Sequence, residues 1–534
     1  MTKRPNFLFI ITDQHRADYL GCGGHPVLKT PHLDSIAARG RRFDRFYVAN
    51  PVCQPNRATL MTGRMPSLHG VRHNGISLSL RSNTFVDLLR ANGYRTALLG
   101  KSHLQNFDSR PPIMQRDNPP EGCTWPTGEF KEALKPVPNE GRYNQEQPPS
   151  WRDNPDYRVD LPFYGYDHVD LCTKHGDEVG GNYDHWLRER HENADALRGP
   201  DNSLPHDYIC PQAWRTAIPE ALYPTSYVAD MTVDFLDRTV ADGDDSPFFA
   251  AMSFPDPHHP FTPPGKYWDM YSPDDMSLPA SFHPGNHLVP PHVAWAQAAR
   301  DEGTAIVNSQ NAFAVRERET LEAMALTCGM ITMVDDAIGR ALAKLEELGL
   351  ADNTVVIFTA DHGDFLGDHG LMLKGPAHYE GVTRVPFLWA DTKDEAKPGI
   401  CAALAGTIDI GATVLERAGL APYNGYQGQS LLPLTNGGAE AIHESVLIED
   451  DQQRSYFGYD SPPRIRTLIT ERWRMTMSHG VTWGELYDLE NDPHEMNNLW
   501  DDSAHGLVRA KMTEILARRQ MELVDRSPLP TAVA

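Results

Sequence analysis

Four apolar runs in this chain each end in a short cluster of acids, bases or amides, and that pattern constrains the fold more than any other. Asn6 to Thr12 runs into Asp13-Gln14, Arg95 to Leu99 into Lys101 and His103, Phe248 to Phe254 into His258-His259, and Thr354 to Ala360 into Asp361-His362. Short, near-continuous apolar runs mark strands buried on both faces of a parallel sheet. In such sheets ligand crevices lie beyond the carboxyl ends of the strands. One polar tip alone reads most simply as a loop residue capping a helix. Four together point to a shared crevice.

Helical spacing recurs between the runs, over Leu33 to Arg39, Phe85 to Asn92 closed by Gly93, and about 316–348 closed by Gly349. The alternation predicts an α/β fold with a large, mostly parallel sheet flanked by helices. Residues 105–225 break the rhythm. They are rich in Pro, Asp, Asn, Tyr and Trp, as in Gln147-Pro148-Pro149-Ser150-Trp151. So many aromatics disfavour a free linker, so this stretch is expected to form a pocket wall within a catalytic domain over 1–435. Beyond it, strand-like pieces at Ser445 to Glu449, Arg466 to Thr470 and Trp473 to Met477 precede a helix near 503–522. A smaller α+β domain with an antiparallel sheet is expected over 436–534.

The 534 residues carry 49 basic and 72 acidic side chains, a formal charge of −23. That surface repels phosphate backbones and anionic lipid, which excludes nucleic-acid binding by bulk electrostatics. No apolar run is long enough to span a bilayer. The run Phe7 to Ile11 is too short for a signal-peptide core and meets Asp13 at once, so a cytoplasmic protein is expected. The seven cysteines form no CxxC pair and no disulfide framework.

Cys53 opens the segment Cys53-Gln54-Pro55-Asn56-Arg57-Ala58-Thr59-Leu60-Met61-Thr62-Gly63. Pro55 suits the first turn of a helix, which puts Cys53 at a helix N-terminus and Arg57 on the same face one turn later. A helix start beside a cation is an anion-binding arrangement, and it favours a thiolate, although no base is named nearby.

The Cys-x-Pro-x-Arg segment resembles the maturation signal of the sulfatases of the alkaline phosphatase superfamily, in which the cysteine is oxidised to formylglycine (3-oxoalanine). The resemblance runs along nearly the whole chain. Asn6 to Asp13, Thr30-Pro31-His32-Leu33-Asp34, Gly100-Lys101-Ser102-His103, Pro257-His258-His259-Pro260-Phe261, Thr359 to Gly363, Gly367-Asp368-His369-Gly370 leading to Lys374, and Leu486 to Pro493 follow in the family's order. The family usually has Ser or Ala where this chain has Asn56, a second Asp at Gln14, and Asn at His362.

The resemblance implies one divalent metal held by Asp13, Gln14, Asp361 and His362, with the modified Cys53 completing its shell. An imidazole ligand favours manganese over calcium, which prefers all-oxygen shells. It also implies that Arg57 and the metal activate a hydroxyl of the hydrated aldehyde, that Lys101 and Lys374 hold the non-bridging oxygens, and that His258, with Lys374, protonates the leaving oxygen. His103 then deprotonates the second hydroxyl to release the product. His259 is the alternative to His258. His69, His73, His369 and His378 read as supporting loop residues, and the methionines of the long helix as core. The implied activity is that of an arylsulfatase-like sulfuric ester hydrolase taking small anionic esters. The Gln14 and His362 pattern equally resembles the phosphonate monoester and phosphodiester hydrolase branch, and a metal-dependent anion-binding member without catalysis is the third alternative. A formylglycine-generating enzyme is the implied maturation partner, and a homo-oligomer, dimer or tetramer, follows from the habit of the related hydrolases. Locally, Arg57, Lys101 and Lys374 would outweigh Asp13 and Asp361, against the sign of the global charge.

Overall fold

The computed structural model describes residues 4–108, 121–124, 126, 141–391, 397–526 and 531–533. Its centre is a nine-stranded sheet in the order Gly399–Cys401, Arg41–Phe43, Phe387–Ala390, Thr354–Ala360, Asn6–Thr12, Phe248–Ser253, Arg95–Lys101, His168–Thr173, Gly180–Gly181. The five strands from Thr354–Ala360 to His168–Thr173 run parallel, whereas Phe387–Ala390 and Gly180–Gly181 are antiparallel to their neighbours. Asn6–Thr12 lies in the middle, with Phe7 opposite both Phe249 and Val355. All four polar clusters read from the sequence therefore leave the same edge of the sheet.

Alternation along the central strand divides the core into two layers. Phe7, Phe9 and Ile11 pack beneath the helices Cys53–Thr62, Phe85–Ala91 and Ile410–Arg417 through Ala58, Leu60, Phe85, Leu89, Ile410 and Val414. Leu8 and Ile10 face the other way, towards Pro31–Arg39, Pro224–Ala241 and Glu317–Glu347 through Ile36, Phe235, Val334 and Ile338. Burying both faces of each strand is why these runs are apolar throughout rather than alternating. Met324, Met330 and Met333 of the long helix are buried, as expected of core positions. Among the described residues no helix is long and apolar enough to cross a membrane.

The 105–225 stretch departs from the expectation of one irregular insertion. Its segment His168–Thr173 adds a parallel strand to the main sheet, Gly180–Gly181 extends the edge, and Asn182–Arg190 is a helix. Asp170 interrupts the apolar pattern of that strand because its side of the sheet edge is only half-buried. Residues 109–120, 125 and 127–140 of the stretch lie outside the described residues.

The C-terminal part forms a four-stranded antiparallel sheet, Val446–Asp451, Arg464–Ile469, Trp473–Ser478 and Gly484–Asp488, followed by the helix Gly506–Glu522. Arg474, fully buried in this sheet, donates to Glu380 at 2.6 Å and also pairs with Glu495. It thereby ties the small sheet to the segment that leads away from Lys374.

Candidate active site

Cys53 is the first residue of a helix that runs to Thr62, and its sulfur is buried. Gly63 ends that helix in the left-handed region, with φ 60°, and a Cβ there would fall 1.9 Å from the Tyr426 ring. The helix start carries the positive end of the helix dipole, and Arg57 follows one turn later. Asn74 brackets the thiol: its amide nitrogen lies 3.7 Å and its amide oxygen 3.8 Å from the sulfur, and that oxygen also accepts from the Gln54 amide at 3.2 Å. Burial pushes the Cys53 thiol up, against the pull of Lys374 and Arg57.

Arg57 is fixed on three sides. Its Nε donates to Asp361 at 2.6 Å, and its Nη1 to the Lys101 carbonyl and to Ser253 Oγ, both at 3.1 Å. Burial raises the Asp361 carboxyl, but Arg57, His362 and Lys101 hold it well below the usual carboxylate range. Asn56 looks inward too. Its amide donates to the Asp361 carbonyl at 2.6 Å and its oxygen accepts from the Ala49 amide and the Thr407 hydroxyl. The residue in place of the family's Ser or Ala therefore braces the strand tip that carries Asp361.

Asp13, Asp361 and His362 bring ligand atoms within 4.8 Å of one another, and all three are sealed from solvent. His362 Nδ1 donates to the Gly363 carbonyl at 2.8 Å, which leaves the lone pair on Nε2. Among the described residues, that Nε2 and Asp13 Oδ1 have no hydrogen-bond partner. Orphaned buried acceptors on two neighbouring strand tips are costly unless a cation lies between them. The donor set of carboxylates and one neutral imidazole suits a divalent metal. Gln14, with φ 61°, sits beside them. Its Oε1 accepts from Lys374 Nζ at 2.9 Å and from His259 at 3.2 Å, and its amide donates to Asp364.

Two lysines complete the centre. Lys101, wholly buried, pairs with Asp13 and donates to His175 Nε2 at 2.7 Å. Lys374 donates to His258 Nε2 at 2.7 Å. Burial lowers both ammonium groups from their usual range. Burial likewise takes His103, His175, His258 and His259 well below ordinary histidine values, with Lys101 or Lys374 adding to each shift. His258 donates from Nδ1 to the His259 carbonyl, so its Nε2 faces Lys374 as an acceptor. His259 turns instead to Gln14.

The residues named from the sequence as nucleophile, acid, base, oxygen-holding cations and metal ligands thus stand together beyond the carboxyl ends of the central strands, whereas the supporting histidines do not all join them. His378 is displaced from the centre: it bonds Thr467 at 2.8 Å and Asp450 at 3.3 Å in the C-terminal sheet. His369 stacks on Tyr379 at 3.7 Å, and His69 bonds Thr59 at 3.0 Å behind the Cys53 helix. Three contributors were not foreseen. Asn74 and Glu146 stand in loops without periodicity. His175 follows the strand His168–Thr173, stacks on His258 with ring centres 3.6 Å apart, and reaches within 3.4 Å of Asp13. The strand-tip rule would have found His175 had Asp170 not broken the apolar run.

A mostly parallel sheet thus carries acids, imidazoles and buried lysines around a helix-start cysteine, the donor set of a centre that takes anionic esters. The sulfatase family model matches residues 5–420, and the model of the N-sulphoglucosamine sulphohydrolase C-terminal region matches 367–522. The chain belongs to the sulfatase family of the alkaline phosphatase superfamily. It is 28% identical to an arylsulfatase of Clostridium perfringens, over 93% of this chain and 90% of that one. It is 27% identical to the multifunctional alkaline phosphatase superfamily protein PehA of Trinickia caryophylli, over 97% and 95%. The crystal structure of the phosphonate monoester hydrolase of Agrobacterium radiobacter superposes with a TM-score of 0.76 at 25% identity, covering 98% of this chain and 97% of that one. The family is one of hydrolases acting on sulfate esters.

Proposed function

We propose that the protein hydrolyses small sulfate monoesters, aryl esters among them, through Cys53 matured to formylglycine. The observation that carries this reading is the position of Cys53 at a helix start, with Arg57, Lys101 and Lys374 converging on one crevice and no more than two carboxylates, Asp13 and Asp361, in the proposed ligand set. Such a balance suits a substrate with one negative charge.

Asp13, Gln14, Asp361 and His362 would hold one divalent ion, manganese or calcium, which when bound supplies Lewis acidity to the nucleophile and the ester oxygens. Formylglycine at position 53, made by a maturation enzyme, would supply hydrated-aldehyde chemistry, in which one hydroxyl serves as nucleophile and the other allows release. The protein's own residues do the rest. Arg57, braced by Asp361, orients the nucleophile's side of the crevice. Lys101 and Lys374 bind the non-bridging oxygens, and burial makes their charge count for more than it would in water. His258 Nε2 accepts from Lys374 Nζ at 2.7 Å, so the proton that this pair delivers to the leaving oxygen comes from the Lys374 ammonium. His103, kept neutral by burial beside Lys101 and Arg57, is a base for the second hydroxyl.

A second reading, phosphonate monoester or phosphodiester hydrolysis at the same centre, is favoured by Gln14 and His362 and by the likeness to the Agrobacterium enzyme. Turnover of p-nitrophenyl sulfate, a p-nitrophenyl phenylphosphonate and bis-p-nitrophenyl phosphate by one preparation separates them. The Cys53 peptide mass is read on the same material. Sulfate preference with a modified Cys53 is expected; a phosphonate or diester preference by orders of magnitude overturns the first reading in favour of the second. Full activity in Cys53→Ala overturns both.

A further inference from the structure

We propose that Glu146 is a positioning residue that holds the His103 imidazole at the reaction centre by fixing the backbone on which it stands. His103 has φ 56°, a left-handed conformation uncommon for a residue with a side chain. Such a conformation persists only where its surroundings impose it. The carboxylate of Glu146 does so. One oxygen accepts from the His103 amide at 2.8 Å, and the other from the Leu104 and Gln105 amides at 3.0 and 2.9 Å. Three successive N–H groups converging on one anion form a nest, and Glu146 is fully buried at its centre.

The clamp is reinforced from both sides. Gln105 Oε1 accepts from the Gln145 amide at 3.0 Å, and Gln105 Nε2 donates to the Arg142 carbonyl at 2.9 Å. The His103 ring stacks on Phe107 with centroids 3.8 Å apart and an interplanar angle of 14°. His103 Nδ1 is sealed and has no partner among the described residues. The strand Arg95–Lys101 delivers Lys101 directly, but nothing in that strand sets the direction of the chain two residues later. Glu146 does, from a distant stretch of sequence. Burial pushes its carboxyl up to about 7, while the three amides favour the anion.

This inference rests on the reading of His103 as the base that releases the product. If Glu146 sets the aim of that base, its loss slows release and leaves ester cleavage intact. The test is pre-steady-state turnover of p-nitrophenyl sulfate, or of the p-nitrophenyl phenylphosphonate if that is the faster substrate. It is run on the mature, metal-loaded wild type, His103→Ala, Glu146→Gln and Glu146→Asp. A carboxamide offers a single acceptor oxygen to three donors, and aspartate is one methylene too short to reach them all. Glu146→Gln is expected to lose about 10–100-fold in steady-state kcat, the scale of a small misplacement of a reacting group, with KM falling in proportion so that kcat/KM, which reports ester cleavage, stays within about threefold of wild type. It should release nitrophenolate in a burst of about one equivalent per active site, as His103→Ala does. Glu146→Asp should show the same burst with a smaller loss, and it serves if Glu146→Gln does not fold. A burst in His103→Ala with wild-type kinetics in the folded Glu146 variants overturns the positioning role alone. Absence of a burst in His103→Ala overturns the reading of His103 and this inference with it.

Discussion

Asp13 Oδ1 and His362 Nε2 face each other across 3.3 Å, both sealed from solvent and neither with a hydrogen-bond partner among the described residues. Two lone pairs held that close repel unless a cation shares them. Purified wild-type protein is therefore expected to carry about one equivalent of divalent metal by elemental analysis. Asp13→Asn and His362→Ala should fall below about a tenth of that. Adding manganese to stripped wild type should raise the melting temperature, because a ligand that binds only the folded state stabilises it. A metal-free protein of full activity, with no melting shift on addition, is the opposing result.

Asn74 touches the Cys53 sulfur with both ends of its amide. Asn74→Ala removes a group from the immediate surroundings of the nucleophile without changing charge. A loss of about 10–100-fold in kcat is expected, the range for deleting one polar group at a reacting centre. The fold should be retained, since only one amide contact to Gln54 is given up. Steady-state kinetics beside circular dichroism decide the matter.

Gly63 ends the Cys53 helix where a side chain has no room. Gly63→Ala places a methyl inside the Tyr426 ring and forces a left-handed conformation on alanine. Destabilisation of about 3 kcal/mol or more is expected from overpacking and backbone strain together. Denaturant unfolding measures it, and adding Tyr426→Ala should recover the overpacking share but not the strain.

His69 accepts the Val71 amide at Nδ1, 3.1 Å, and its Nε2 bonds Thr59. A protonated ring cannot accept, so the folded state wants it neutral, and burial takes it down to about 3. The folded value lies below the unfolded value of about 6.5, so this stabilisation is complete above pH 6.5 and is lost as pH falls towards 3. Between pH 7 and pH 5 the wild type should lose about 1 kcal/mol more than His69→Gln, a figure reduced for the ring's partial exposure. Unfolding free energies of both proteins at the two pH values test this.

The strands of the central sheet were legible because burial on two faces writes an unbroken apolar run, and Asn6–Thr12 and Thr354–Ala360 emerge with the bounds expected. Their polar tips were legible for the same reason: Asp13 and Asp361 stand where an apolar run stops. Glu146 and Asn74 left no such mark. Each works through backbone amides or a single sulfur contact, and those partners are chosen by the folded chain rather than by spacing. His175 lay between the two cases, hidden by one aspartate in a half-buried edge strand. The separate roles of His258 and His259 were also beyond spacing, since adjacent residues differ only in which way each ring turns, one to Lys374 and the other to Gln14.

The central strand has a temporal consequence as well as a spatial one. Asn6–Thr12 is made well before its neighbours Phe248–Ser253 and Thr354–Ala360, the latter 348 residues downstream at the Asn6 and Thr354 pair. Parallel pairings over such separations carry a large loop-closure entropy and form slowly. Until residues 248–253 are made the nascent chain holds this apolar strand without either neighbour, the condition under which chains aggregate. Chaperone capacity and slowed translation at low temperature should therefore govern the yield of folded protein more than any change at the chemical centre.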